Sequence, residues 1–258
     1  MGAFFCVYFY RKYINMKQIA PWVIVCIGLV LSVILLGRAY NLKLRKAETI
    51  VVTGSSDTNF VSDLIVWQGS YSRSSSQLQD AFNALKADEA TVKKYLGDQG
   101  LSTTEINTSS ISTEKIFETR FDENGNEKGS EFKGYKLTQK ITIESKDLAK
   151  VDRISREITE LIQQGIELSS EEPAYYYSKL GDLKIGLLAK ASSDGRKRAE
   201  TIAEHGGNSI GRLNKATMGV FQITGQNMDE DYSFGGVFNT SSINKTATIT
   251  VKMEYMIE

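Results

Sequence analysis

Few residues in this chain have a type and spacing suited to chemistry. His205 is the one histidine, so a Ser-His-Asp triad or a multi-histidine metal site would have to be built around it. It falls at the C-terminal end of the longest helical stretch, where a cation meets exposed carbonyls, and capping suits that position better than catalysis. Asp122-Glu123-Asn124-Gly125-Asn126-Glu127 has the composition of a calcium loop. It lacks the residue order and terminal spacing of an EF-hand, and reads as a solvated hairpin tip. Asp229-Glu230-Asp231 could hold a cation at an assembly interface, though a solvated loop is the plainer reading. Gly206-Gly207-Asn208-Ser209-Ile210-Gly211 follows a helix instead of opening one, so it offers no helix N-terminal amides to a phosphate. Arg196, Lys197 and Arg198 form a basic spot on a helix, either a solvated face or a contact for acidic headgroups or a partner subunit. Tyr175, Tyr176 and Tyr177 place rings on both faces of a strand. Cross-strand packing is their plain role and a subunit or peptide interface the functional one. No catalytic, cofactor-binding or metal-ligating residue is expected.

Both cysteines, Cys6 and Cys26, lie in or before an apolar run near the N-terminus. The rest of the chain therefore has no intradomain disulfide, thiolate metal site or thiol nucleophile. Val25 precedes Cys26, which argues against lipoprotein processing there, because signal cleavage needs a small residue. Three Asn-x-Ser/Thr sequons, at Asn107, Asn239 and Asn244, matter only in a eukaryotic secretory route. Lys plus Arg equals Asp plus Glu, 31 against 31. There is no basic excess for nucleic acid and no acidic excess of a disordered chain.

These residues are positioned by a chain in four parts. Residues 1–18 form a partly basic tip, within which Met16-Lys17 offers a second start. Residues 19–37 are read as a transmembrane helix, because Ile19–Leu36 carries no charge and at about 1.5 Å per residue nearly crosses a hydrocarbon core of about 30 Å. The run is longer than a signal-peptide h-region and no good cleavage pair follows it, so it is expected to remain as an anchor contacting the bilayer. Basic residues flank it on both sides and leave its orientation undecided. Residues 38–47 form a linker, and 48–258 a folded domain.

Within that domain, Glu48–Gly54 and Val61–Tyr71 read as strands, the second apolar on both faces and hence central. Ser74–Ser76 supply N-cap candidates for a helix to Leu96. Ile106–Phe121 and Phe132–Glu144 alternate around the Asn124-Gly125 hairpin signal. Asp147 caps a helix to Gln164, and Gly165 stops it. Ile166–Leu180 reads as a strand interrupted at Pro173, followed by a helix over Leu183–His205 that Asp182 can cap and Gly206-Gly207 end. A strand at Thr217–Thr224, a long exposed loop at Gly225–Ser242 and an alternating strand at Thr246–Ile257 close the chain. This order predicts an α+β fold with helices packed on a largely antiparallel sheet.

Strand, "VTG", spacer and "SDLIVWQGSYS", followed by "YKLTQKITIESKDLAKVDRISREITELIQQGIEL", "LLAKASSDGRKRAETIAEHGGNSIGRL" and "TATITVKMEYMIE", resemble SIMPL-domain proteins over roughly Thr49–Glu258. The resemblance implies an α+β fold, a bacterial envelope location behind a signal or single anchor, and ring-like homo-oligomers in some members. It brings no catalytic residues with it. The expectation is a non-enzymatic, single-pass protein of the bacterial inner membrane, its domain in the periplasm, self-associating as an envelope scaffold with a link to stress tolerance. Tyr175–Tyr177 are its expected contact surface. The alternative is a periplasmic binding module for a small ligand or peptide in a cleft between sheet and helices.

Overall fold

The computed structural model describes residues 25–38, 48–228, 231 and 233–258. The N-terminal tip, residues 39–47 of the linker, the first six residues of the apolar run, and Asp229, Glu230 and Tyr232 lie outside them. Residues 25–38 form helix α1, whose apolar side chains are exposed. No helix among the described residues is long and apolar enough to cross a membrane.

The domain is α+β, with two antiparallel sheets where the sequence suggested one. The chain runs β1 (Thr49–Val61), β2 (Leu64–Ser75), α2 (Leu78–Asp98), β3 (Ile106–Thr108), β4 (Ser112–Phe121) and β5 (Glu127–Ser145). It continues through α3 (Leu148–Glu157), a 3-10 segment (Ile158–Gln164), β6 (Glu167–Ser170), β7 (Ala174–Tyr176), α4 (Leu180–His205), β8 (Ile210–Met218), β9 (Gln222–Gly225) and β10 (Asn244–Ile257). β1 and β2 are nearly contiguous yet belong to different sheets. β1 pairs with β10, which also pairs with β8 and β9. β2 lies between β5 on one side and β6 and β7 on the other, with β3 and β4 on the far side of β5. β2 is thus central, as its two-faced apolarity requires.

Each sheet has its own core. Ile65, Trp67 and Tyr71 of β2 and Leu137, Ile141 and Ile143 of β5 pack beneath α2 and α3. Such fully buried side chains each contribute about 1.5–3 kcal/mol. Val52 and the alternating Ala247, Ile249, Val251 and Met253 of β10 form the second core under α4. There α4 turns small residues to the sheet (Ala191, Gly195, Ala199 and Ala203), and its backbone comes very close to β1. A Cβ added at Gly54 would meet the Ala191 carbonyl and come 2.7 Å from the Gly195 Cα. The "VTG" glycine is therefore a packing requirement, independent of any turn.

Local signals behave unevenly. Asp147 does cap α3, accepting from the Lys150 amide, and Gly165 ends the 3-10 segment in the left-handed conformation. Ser74 and Ser75 instead lie in β2, and α2 starts after Gln77 without a side-chain cap. The helix after Asp147 tightens to 3-10 geometry from Ile158. α4 starts after Lys179, placing Asp182 in its first turn instead of at the cap. β8 starts at Ile210, ahead of the expected Thr217–Thr224 strand, and the later part of that strand pairs separately as β9.

Candidate functional site

The tyrosine run lies where the two sheets meet. Tyr175 is buried in the first core, and its hydroxyl donates to Asp152 Oδ1 at 2.9 Å. Burial first, and that bond second, push its pKa up to about 12. Tyr176 and Tyr177 are half-buried. The Tyr176 ring packs against Phe238 of the loop before β10, and Tyr177 against Phe60 of β1 with centroids 5.0 Å apart. Backbone bonds tie the same place together. The Tyr175 amide donates to the Thr240 carbonyl at 2.7 Å, and the Asp63 amide to the Tyr176 carbonyl at 3.0 Å. Asp63, between β1 and β2, accepts from the Ser178 amide and hydroxyl. The hydroxyl bond is the main cause holding its carboxyl below the usual range. The three rings thus join β7 to both sheets.

The remaining candidates are dispersed. His205 is in the last turn of α4 with Nδ1 2.8 Å from the Thr201 carbonyl. Asp122 caps its own hairpin turn, accepting from the Asn124 and Asn126 amides; the bond from the Asn126 amide is the main cause lowering its pKa. Arg196 pairs with Glu200 and Arg198 with Asp194 along exposed helix. Gly206 and Gly207 follow α4 and lead into β8. No group of three His, Cys, Asp or Glu is placed to hold a metal ion among the described residues. A part-buried charge pair is structural: Asp88 of α2 receives two bonds from Arg73 of β2, at 2.5 and 2.8 Å.

Three surfaces have the chemistry of contact sites. The first is a projecting arm made by β4 and the distal half of β5. Among the described residues β4 pairs only with β5. Phe117 lies opposite Phe132 and Lys115 opposite Tyr135, so a bulge near Gly134 keeps Phe132 on the face of Tyr135 and Leu137. The core-facing side of the sheet therefore runs on into the arm, beyond the helices, as rings packed edge to face with centroids 5.7 and 5.1 Å apart. Phe117 is 57% exposed, Phe121 65% and Phe132 42%. The opposite face carries Arg120–Glu131 and Lys133–Glu118 pairs.

The second surface is the α4 side of β8. Leu213, Ala216 and Met218 lie opposite Tyr255, Met253 and Val251, all buried under α4. The helix packs over β1 and β10 and barely reaches β8, leaving Leu213 47% and Met218 55% exposed. The third is a groove of about 590 Å³ between β1 and α4, lined by Val51, Thr53, Lys197, Arg198, Thr201 and Ile202. Asp194 closes one end by accepting from the Ser55 amide at 2.9 Å. Sequence reading missed the first two surfaces. The only signal for the arm was Phe117 and Phe121 alternating with Glu118 and Arg120; β8 gave none, because its apolar residues sit among Arg212, Asn214 and Lys215.

Two helix-backed antiparallel sheets joined through a tyrosine-bearing strand, with apolar faces running past their helices, define an α+β protein built around surfaces. The family model described as SIMPL, a protein of unknown function (DUF541), matches residues 50–255, and the chain belongs to that family. The ends of the match, Ile50 and Tyr255, are paired directly across β1 and β10, so the matched span closes on itself. No curated protein matches the chain.

Proposed function

We propose that the protein is a non-enzymatic, single-pass membrane protein whose SIMPL domain stands on the periplasmic side of a bacterial inner membrane and self-associates. It acts there as a homo-oligomeric scaffold or interaction module of the envelope, with a role in stress tolerance. The observation that carries self-association is the apolar surface the fold leaves uncovered on the arm and on β8. Rows of side chains that are core-facing in register yet exposed mark interaction sites. The uncharged run Ile19–Leu36 supports the anchor. Protease added to spheroplasts should degrade the domain; a domain that stays intact until the membrane is broken would contradict the topology.

The groove between β1 and α4 favours a second reading, a peptide-binding module. An open strand edge beside a helix suits strand addition by an extended segment. A saturable thermal shift by strand-forming peptides, abolished by Val51→Pro, is its test.

A further inference from the structure

We propose that the groove between β1 and α4 takes an extended, acidic segment of another protein, which adds a strand to the free edge of β1 and sets a carboxylate against Lys197. This rests on the strand-addition reading above and names its ligand. Hydrogen bonds define the edge. The Glu48 carbonyl accepts from the Ile257 amide, and the Ser62 amide donates to the Ile243 carbonyl, so the even-numbered residues of β1 address β10. The Ser55 amide instead donates to Asp194 of α4, so the odd-numbered residues point away from β10. The amides and carbonyls of Val51 and Thr53 are thus directed outward, and among the described residues no other strand pairs with β1. Proteins protect such edges with charges, prolines or bulges. Thr49–Ser56 has none: it is uncharged and without proline, and pairs with β10 without a register shift. Asp194 closes the edge at Ser55, so an added strand is short and ends beside Thr53.

Charge selects the occupant. Lys197 and Arg198 line the groove with Thr201 and Ile202. Arg198 pairs with Asp194, and Lys197 makes no ion pair among the described residues, which leaves the groove one cation in excess. α4 runs antiparallel to β1, since Gly195 lies at Gly54 while residues 197–202 lie beside Val51–Thr53. Directly opposed residues of paired strands share a face, so a ligand residue opposite Val52 turns towards α4. An acid there meets Lys197, and an apolar residue two positions on meets Ile202, which is 54% exposed. Antiparallel addition makes the order acid, any residue, apolar. The chain's own residues 39–47 carry Lys43, Arg45 and Lys46 and no acid. A second copy paired edge to edge would bring its own Lys197 to the same place. Like charges oppose both of those occupants.

The test uses the detergent-solubilised full chain and fluorescein-labelled seven-residue peptides that alternate Val with Thr, the third residue being Glu, Gln or Lys. Fluorescence anisotropy at low salt should rank them in that order, each step weakening binding by about 3-fold. Lys197→Glu should invert the order. Val51→Pro removes an amide that β10 does not use, and should abolish binding of all three with the melting temperature unchanged. A Glu peptide N-methylated along one backbone edge should fail on the unaltered chain. Equal affinity whatever the third residue, or an order that Lys197→Glu leaves as it was, overturns the acidic ligand and leaves strand addition standing. Failure of all three peptides, or binding that survives N-methylation or Val51→Pro, removes strand addition itself.

Discussion

Replacing Gly54 by alanine should unseat α4 from its sheet. The added methyl would meet the Ala191 carbonyl and lie 2.7 Å from the Gly195 Cα, and these are backbone atoms that cannot rotate away. Overpacking a tight interior costs about 1–3 kcal/mol, and a backbone obstacle puts the cost at the upper end, about 3 kcal/mol. For a domain of about 200 residues, 1 kcal/mol moves the melting temperature by about 2–4 °C, so a fall of about 6–12 °C is expected. Gly186 is the internal control. It lies in the same helix with nothing within 4 Å of an added Cβ, so Gly186→Ala should stabilise by about 0.5–1 kcal/mol. Thermal melts of the solubilised full chain followed by circular dichroism read both. A Gly54→Ala chain that melts with the parent, or a Gly186→Ala chain that falls as far as Gly54→Ala, would refute the close helix–sheet approach.

Asp88→Ala leaves the part-buried Arg73 guanidinium without its bidentate partner, and should destabilise by about 1.5–3 kcal/mol in chemical denaturation, the range for hydrogen bonds to charged groups. The Glu105 carboxyl is held below its ordinary value of 4.5, first by the Ser145 hydroxyl. Its contribution is present above that value and lost as pH falls through the lower folded pKa, so Ser145→Ala should flatten the acid limb of a stability–pH profile below about pH 4.5. Tyr175 behaves in the opposite sense. Raised from 10.0 to about 12, it stabilises fully below pH 10.0 and its contribution is lost as pH rises towards 12. Tyr175→Phe should remove that alkaline slope and cost about 1 kcal/mol at neutral pH.

Much of the fold was legible where periodicity and local chemistry agree. The strict alternation of Thr246–Ile257 marked β10, Asn124-Gly125 marked the arm's turn, and Asp147 marked a cap. The separation into two sheets was not legible, because it depends on Thr49 pairing with Met256, a contact between the ends of the domain with no local signature. Serines 74 and 75 look like caps in isolation, but their pairing with Lys136 and Tyr135 keeps them in β2. The tyrosine run was visible as a feature, and its geometry depends on Phe60 and Phe238, which lie far from it in sequence. The arm and β8 strip were hidden for a related reason. Whether an apolar residue in a strand is exposed depends on how far the covering helix extends, which alternation does not encode.

Self-association is tested most directly by the mass of the detergent-solubilised full chain, measured by light scattering on a sizing column with the detergent contribution subtracted. A single peak at an integral multiple of 28.7 kDa, stable on dilution, is the expected result. A peak at 28.7 kDa across the accessible concentrations would contradict the scaffold reading.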